Sequence, residues 1–143
     1  MPASALIWPI KKSFTSYIEQ LADGRIDVGE GAERVDDAFV FPAADDGGNR
    51  FGGSVVCSGH FGMLLLEIRG IEVLESDGAT VLTIDDEDLP EGRRTLLALN
   101  DATVDANGVT YGLPRLTEEG AEIFFDTYRA GTLFDPVRLG SAR

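Results

Sequence analysis

Residues Phe51–Met63 read FGGSVVCSGHFGM and contain the single cysteine and the single histidine of the chain. This stretch is predicted to be a strand, along which side chains alternate between two faces. One face is apolar and is expected to join the core: Val55, Cys57, Phe61 and Met63. The other face is neither apolar nor charged: Ser54, Val56, Ser58 and His60. A solvated face in so acidic a chain would carry charged residues, so a covering segment or a ligand is predicted over the second face.

The histidine has a plainer alternative interpretation. Most histidines in folded domains are half-buried, hydrogen-bonded and without a chemical task. His60 and Cys57 lie on opposite strand faces, which disfavours a thiolate–imidazole pair. We therefore interpret Cys57 as a small core residue.

Composition limits the classes of partner. The net charge of −13 repels phosphate backbones, so neither nucleic acid nor an anionic membrane surface is expected as a partner. One cysteine excludes an internal disulfide, and one cysteine with one histidine cannot form a structural zinc site. The length of 143 residues predicts a single domain, 1–143, that buries its own core. No apolar run is long enough for a transmembrane helix, so no membrane insertion is expected.

The first residues, MPASALIWPIKK, place the basic pair after a short apolar run that Pro9 interrupts. A secretory signal has the opposite order, with basic residues first. A cytoplasmic location is therefore expected. The alternative is a secreted or cell-surface protein, if the native chain begins upstream of Met1.

A first helix is predicted between Ser13, whose hydroxyl can cap the N-terminus, and Gly24, which supplies the stop. Its apolar stripe has helical spacing: Phe14, Tyr17, Ile18 and Leu21. Tyr17 stands in this stripe although a leucine would pack as well. The plain interpretation is a tyrosine at the edge of the core with its hydroxyl at the rim.

The chain between the two predicted helices, residues 25–116, has the pattern of short strands. Asp45–Asn49 has hairpin composition, so Ala38–Pro42 is expected to pair with Phe51–Met63. Asn107-Gly108 is the strongest hairpin dipeptide in the sequence. Other strands are predicted at Ala5–Trp8, Arg25–Val28, Leu64–Leu74, Ala79–Ile84, Thr95–Asp101, Thr103–Ala106 and Val109–Leu113.

A second helix is predicted from Thr117, a side-chain cap, to Gly131. Its apolar side would consist of Ala121, Phe124, Phe125 and Tyr128. The tail is expected to add one short strand. The predicted fold is mainly β, an antiparallel β-sandwich or flattened barrel with one helix near the N-terminus and one near the C-terminus.

Three ordered blocks resemble a known family. The first contains Trp8, Lys12-Ser13-Phe14, Tyr17-Ile18, Gly24, Ile26 and Gly31-Ala32. The second contains Gly53-Ser54-Val55 and Gly59-His60-Phe61-Gly62. The third contains Leu116 to Ala121, Phe124, Tyr128, Ala130-Gly131 and Asp135-Pro136-Val137. In this order, over about residues 6–139, they resemble the HtaA-type haem-binding domain of actinobacterial haem uptake proteins.

The resemblance implies a β-rich domain that binds ferric haem b through a tyrosinate axial ligand supported by a histidine. Carried over by motif, Tyr17 is the metal ligand, His60 supports it, and Tyr128 is the tyrosine of the last helix. The implied role is haem uptake, transfer or buffering, with another haem-carrier protein as a further partner. Family members are generally exported, whereas this sequence shows neither a signal nor an anchor.

Chemistry is consistent with these assignments. Ferric iron is a hard cation that favours an anionic oxygen, and a histidine can share the proton of the phenol. Phe14 and Phe61 are candidates for contact with the porphyrin ring or for plain core packing. Ser54 is a candidate for hydrogen bonds to the propionates or to backbone. Since the net charge disfavours a dianionic ligand, a local cation is expected among Lys11, Lys12 and Arg25.

Two other functional classes compete. A haem-less structural or protein-binding β-domain would share the fold. An enzyme is disfavoured because the sequence has no nucleophile elbow, and Ser54 lies too far along the strand from His60 for a hydrogen bond. The sequence therefore favours a binding protein without catalytic activity.

Overall fold

The computed structural model describes residues 4–44, 49–124 and 127–140, which form twelve strands and two helices. The elements at the N-terminal side are β1 (Ala5–Trp8), α1 (Lys12–Gln20), β2 (Arg25–Gly29), β3 (Glu33–Val35), β4 (Ala38–Pro42) and β5 (Arg50–Gly59). A 3-10 turn (His60–Gly62) follows, and then β6 (Leu64–Ser76), β7 (Ala79–Asp85), β8 (Arg93–Leu99) and β9 (Ala102–Asp105). The chain continues with β10 (Gly108–Tyr111), β11 (Arg115–Leu116), α2 (Glu118–Ile123) and β12 (Val137–Gly140).

The strands form two six-stranded antiparallel sheets within the described residues. The first sheet has the order β3-β4-β1-β12-β10-β9, and the second has β11-β8-β7-β6-β5-β2. In the first sheet, β1 lies between β4 and β12, with Ala5 opposite Gly140 and Ile7 opposite Arg138. One half of this sheet therefore comes from the start of the chain and the other half from its end.

The core consists of large apolar side chains contributed by both sheets and by α1. The largest fully buried side chains are Trp8, Phe39, Phe41, Phe51, Phe134, Leu6, Ile10, Ile18, Ile68, Ile71, Leu82 and Ile84. Burial of this apolar area is the main favourable contribution to folding. The predicted fold class is confirmed as two antiparallel sheets with two helices, and in the described part of the chain neither sheet closes into a barrel.

Local signals located several elements correctly. β1 ends at Trp8, directly before Pro9, as the proline predicts. Asn107-Gly108 connects β9 to β10, and the predicted strand of the tail is β12. Neither helix of the described residues is long and apolar enough to span a membrane.

The predicted pairing of Ala38–Pro42 with Phe51–Met63 is wrong. β4 pairs with β1 and β3 in the first sheet, whereas β5 pairs with β2 and β6 in the second. Among the described residues, an isolated bridge joins Ala43, just beyond β4, to Phe51. Consecutive buried residues in β4, Phe39 to Phe41, suit a strand covered on both faces. Residues 45–48 of the predicted turn lie outside the described residues.

The predicted strand Phe51–Met63 is also interrupted. β5 ends at Gly59, and His60, Phe61 and Gly62 have positive φ angles of 52°, 56° and 87°. The alternation of faces therefore stops at Gly59. Cys57 is buried as predicted, but Phe61 is 94% exposed and Met63 is 83% exposed, which corrects their assignment to the core face.

The N-terminus of α1 differs from its prediction. The helix begins at Lys12, so Ser13 lies inside the helix and is not its cap. The backbone N–H of Lys12 donates a 3.0 Å hydrogen bond to the Asp135 carboxylate. A distant carboxylate thus satisfies a helix N–H that a local cap would otherwise satisfy.

The N-terminus of α2 follows its prediction, and its C-terminus does not. The Thr117 hydroxyl accepts a 2.9 Å hydrogen bond from the backbone N–H of Gly120. The helix ends at Ile123, well before the predicted stop at Gly131, so Tyr128 lies beyond it. Phe125, predicted on its apolar side, lies outside the described residues.

Candidate functional site

A cavity of about 600 Å³ lies between α1, the 3-10 turn, the start of β6 and the segment that begins with α2. Its lining residues are mostly apolar or aromatic: Phe14, Tyr17, His60, Met63, Leu64, Leu66, Ile123, Phe124, Thr127 and Tyr128. Small-molecule sites typically have this range of volume, an apolar lining and a few polar groups. The polar atoms at the Tyr17 and His60 end give this cavity the features of a ligand site.

Tyr17 and His60 form a close polar pair at one end of the cavity. The Tyr17 Oη lies 2.5 Å from the His60 Nε2, although 43 residues separate the two in sequence. A phenol donates to a neutral imidazole nitrogen, and an imidazole N–H donates to a phenolate, so this contact lets the two groups share one proton. Tyr17 is 46% exposed and lines the cavity, so its side chain is not covered by the core.

The turn that carries His60 is held by a residue just beyond α1. The Asp23 carboxylate accepts hydrogen bonds from the backbone N–H of His60, at 3.2 Å, and of Phe61, at 2.5 Å. Positive φ angles are unfavourable for non-glycine residues, and these two bonds offset part of that cost. The sequence analysis missed Asp23, because a carboxylate after a helix does not indicate a partner nearly 40 residues away.

Two glycines allow tight packing just after α1 and at the end of β5. A Cβ at Gly24 would lie 1.7 Å from the Ile18 carbonyl oxygen, and a Cβ at Gly59 would lie 2.6 Å from Leu21 Cδ1. Gly24 therefore needs a residue without a side chain, whereas at Gly59 the Leu21 side chain would have to move. The contact of Leu21 with Gly59 packs the residue that follows α1 against the end of the strand that precedes the His60 turn.

A cluster of aromatic rings forms another part of the cavity wall. Phe14 packs edge-to-face on Phe124 with ring centroids 5.3 Å apart, and Phe124 packs in the same manner on Phe134 at 5.2 Å. Tyr128 meets all three rings at centroid distances of 5.6 to 6.3 Å. Burial raises the pKa of Tyr128, and a hydrogen bond with the Ser13 hydroxyl partly opposes this effect. Tyr128 is therefore a neutral phenol in the wall.

Arg94 fixes the position of α2, which supplies Ile123 to the cavity. Its guanidinium donates to the Glu119 carbonyl at 2.6 Å, to the Glu122 carboxylate at 2.7 Å and to the Asp86 carboxylate at 2.6 Å. Hydrogen bonding to Arg94 lowers the pKa of Asp86. The buried arginine thus ties the short helix to β8 and to the loop after β7.

A neighbouring cavity has different chemistry. It has a volume of about 630 Å³ and is lined by Glu67 and by the four acidic residues 85–88. Carboxylate walls do not suit an apolar or anionic ligand. The apolar cavity with the Tyr17–His60 pair is therefore the better candidate site.

The structure brings four of the predicted site residues into one cavity: Phe14, Tyr17, His60 and Tyr128. It does not bring the other two there. Phe61 points away into solvent, and Ser54 is only 6% exposed within the second sheet, opposite Gly29 of β2 and Arg69 of β6. Neither residue lines the cavity. Sequence reasoning missed the lining residues Leu64, Leu66, Ile123 and Thr127, which carry no signal beyond apolar or polar character.

Other metal-binding chemistry finds no support in the described residues. In residues 4–44, 49–124 and 127–140, no three His, Cys, Asp or Glu side chains are grouped to hold a metal ion. Burial raises the pKa of the Cys57 thiol to about 12, so it stays protonated and is a poor ligand. Cys57 is a core residue, as predicted from the sequence.

Comparison with known proteins gives one family and several solved structures. The sequence model of the HtaA domain, described as Htaa, matches residues 3–140. No curated protein matches the chain. The C-terminal domain of HtaA from Corynebacterium glutamicum is 27% identical, with a TM-score of 0.70, and the match covers 96% of this chain and 98% of that one.

Two further solved structures share the fold. The heme binding protein HtaB from Corynebacterium glutamicum has a TM-score of 0.72 at 18% identity, over 96% of this chain and 91% of that one. The N-terminal domain of HtaA from the same organism has a TM-score of 0.69 at 22% identity, over the full length of both chains. At these identities the likeness establishes the fold alone.

Proposed function

Because this chain belongs to the HtaA family, we propose that it binds ferric haem in the cavity between α1, the His60 turn and α2. The family agrees with the resemblance found in the sequence. One solved relative that shares the fold is named as a heme binding protein. The proposal for this chain is supported by its own residues in the cavity.

The observation that carries the proposal is the 2.5 Å contact between Tyr17 Oη and His60 Nε2 at the edge of an apolar cavity. Ferric haem supplies a hard cation, for which a phenolate oxygen is a suitable axial ligand. Tyr17 would be that ligand. His60 would hold the proton or donate a hydrogen bond to the phenolate, which favours the charged form of the tyrosine.

The remaining lining residues suit a flat, apolar macrocycle. Phe14 and Phe124 present rings, and Leu64, Leu66 and Ile123 present aliphatic side chains. These groups would exclude water from the porphyrin, and burial of its apolar surface would provide most of the affinity. The cavity volume of about 600 Å³ is in the range of cofactor sites.

The biological role proposed is binding for haem uptake, transfer or buffering. Membership of the HtaA family favours a binding protein over an enzyme, in agreement with the sequence. The alternative is a haem-less structural or protein-binding domain of the same fold. It predicts no saturable binding in a hemin titration.

The test is a titration of the purified protein with hemin, followed by the Soret absorption. We expect saturable binding near one hemin per chain. Hemin also adsorbs to apolar surfaces, so a matched pair of variants locates the site. Thr127→Trp places a large ring in the cavity and should weaken binding, whereas Thr103→Trp, on exposed β9, should not. No saturable binding, or equal affinity in the two variants, would contradict the proposal.

A further inference from the structure

The described lining of the candidate cavity offers no lysine or arginine to pair with the carboxylates of haem. Its described lining residues include no Lys, Arg, Asp or Glu. The whole chain carries a net charge of −13, while ionised haem presents two propionate carboxylates. A nearby cation would stabilise a carboxylate in this negative field. The sequence leaves Lys11, Lys12 and Arg25 as alternatives.

The structure distinguishes Lys11 from the other two. Its ammonium lies 5.5 Å from the centroid of the Tyr128 ring and 5.8 Å from that of Phe134. It also donates a 3.2 Å hydrogen bond to the Leu133 carbonyl. These contacts hold the ammonium at the end of the aromatic wall. Since an ammonium has three donors, two remain available for an anion.

Resting on the proposed function, we propose that Lys11 forms the carboxylate subsite of the cavity and binds a propionate of the porphyrin. Among the described residues, no carboxylate lies within 4.0 Å of the Lys11 ammonium. An incoming carboxylate would therefore meet a cation that is positioned by aromatic rings and not already paired in that part of the chain.

The other cations are less well placed. The Arg25 guanidinium is exposed and already bonded to Asp27 at 3.0 Å. Lys12 is exposed, and none of the contacts found for it reaches a residue that lines the cavity. Arg129 follows Tyr128 in the chain but is exposed, which makes it the competing candidate for the test.

The position of Lys11 on α1 also agrees with a ligand held at both its centre and its edge. Lys11 is the N-cap of α1, six residues before Tyr17, which corresponds to about 9 Å along the helix axis. The iron ligand would therefore come from the second half of α1 and the carboxylate subsite from its N-terminal end.

The experiment compares two ligands that differ only in their carboxylates, hemin and hemin dimethyl ester. Lys11→Met removes the ammonium and keeps an apolar stem, and Lys12→Met makes the same charge change one residue away. We expect Lys11→Met to weaken hemin binding by about three- to fivefold, the effect of a partly exposed ion pair. The affinity for the ester should stay unchanged, and Lys12→Met should bind both ligands like the wild type. Thermal unfolding checks that each variant folds.

Three results would overturn the subsite. Equal weakening for hemin and ester in Lys11→Met would mean that Lys11 acts through packing. A loss specific to hemin in Arg129→Gln instead of Lys11→Met would move the subsite to Arg129. Equal affinity of the wild type for hemin and ester would remove the carboxylate subsite but leave the proposed function in place. If the wild type binds neither ligand, the proposed function fails as well.

Discussion

The Asp23 carboxylate accepts a 2.5 Å hydrogen bond from the backbone N–H of Phe61. Through this bond the chain just beyond α1 fixes the conformation of the turn that presents His60. The same helix carries Tyr17, so one segment positions both members of the Tyr17–His60 pair. The Asp23 contact is therefore expected to help to hold His60 beside Tyr17.

Removing the Asp23 carboxylate tests this dependence. Asp23→Ala leaves two backbone N–H groups without their acceptor, and we expect the free energy of unfolding to fall by about 1–2 kcal/mol. Hemin affinity should fall too, because His60 is no longer held beside Tyr17. Urea denaturation and hemin titration measure the two effects. The matched control is Asp27→Ala, which removes an exposed carboxylate bonded to Arg25. If Asp23→Ala lowers stability and hemin affinity no more than this control does, Asp23 has no positioning role.

Tyr17→Phe tests the axial ligand. The substitution keeps the ring and its packing but removes the oxygen that would bind ferric iron. We expect the tyrosinate charge-transfer absorption and the corresponding resonance Raman bands of the hemin complex to disappear. Tyr111→Phe, on β10 and away from the cavity lining, should leave the spectrum intact. A wild-type spectrum in Tyr17→Phe would rule out this ligand.

His60→Ala tests the supporting role of the imidazole. A hydrogen bond to the phenolate favours its charged form, so its loss should weaken hemin binding by up to about tenfold. The phenolate should also be protonated more easily, which moves acid release of hemin to higher pH. A series of titrations between neutral and acidic pH measures both changes. If affinity and release midpoint both match the wild type, His60 has no supporting role.

The buried thiol makes a prediction for alkaline pH. The pKa of Cys57 rises from an ordinary value of 9.0 to about 12 because burial penalises the thiolate. Between these values the unfolded chain ionises and the folded chain does not, so the free energy of unfolding should fall as pH increases from 9 to 12. At pH 8, iodoacetamide should label the protein only after unfolding in urea. Ser76→Cys adds an exposed thiol and is the positive control; rapid labelling of native Cys57 would contradict its burial.

Two glycines next to the site should differ in their tolerance of alanine. At Gly24 the new Cβ would meet the backbone oxygen of Ile18 at 1.7 Å, so the loop that carries Asp23 must shift. At Gly59 it would meet the end of the flexible Leu21 side chain at 2.6 Å. We expect Gly24→Ala to cost about 3 kcal/mol of stability and Gly59→Ala about 1 kcal/mol. Urea denaturation measures the free energy of unfolding of the two variants. A larger loss for Gly59→Ala would show that the backbone near Ile18 moves more easily than the Leu21 side chain.

Local patterns predicted the parts of the site that depend on neighbouring residues. Helical spacing placed Phe14 and Tyr17 on one stripe, and both line the cavity. Strand alternation was correct for Cys57 but failed for Phe61, because the backbone turns after Gly59 and bonds there to Asp23. A contact between residues so distant in sequence leaves no periodic signal.

The wrong partner for β4 has a similar cause. Turn composition indicates that the chain reverses direction, but it does not indicate in which sheet the next strand lies. The buried run Phe39 to Phe41 suits the interior of either sheet. The choice of β1 and β3 as partners depends on how the whole core packs, and a single local pattern does not contain that information.

The position of β1 beside β12 has a consequence for the order of assembly. Three residue pairs, Ala5 to Ile7 opposite Arg138 to Gly140, join the two halves of the first sheet. The pairing of β1 with β12 joins segments more than 130 residues apart. Its formation therefore has the largest entropic cost of loop closure among the described strand pairs, and it should come late in folding. During synthesis, β1 must wait for the last strand to leave the ribosome. Until then one edge of the N-terminal half-sheet has free N–H and C=O groups, and the nascent chain is open there to pairing with another strand.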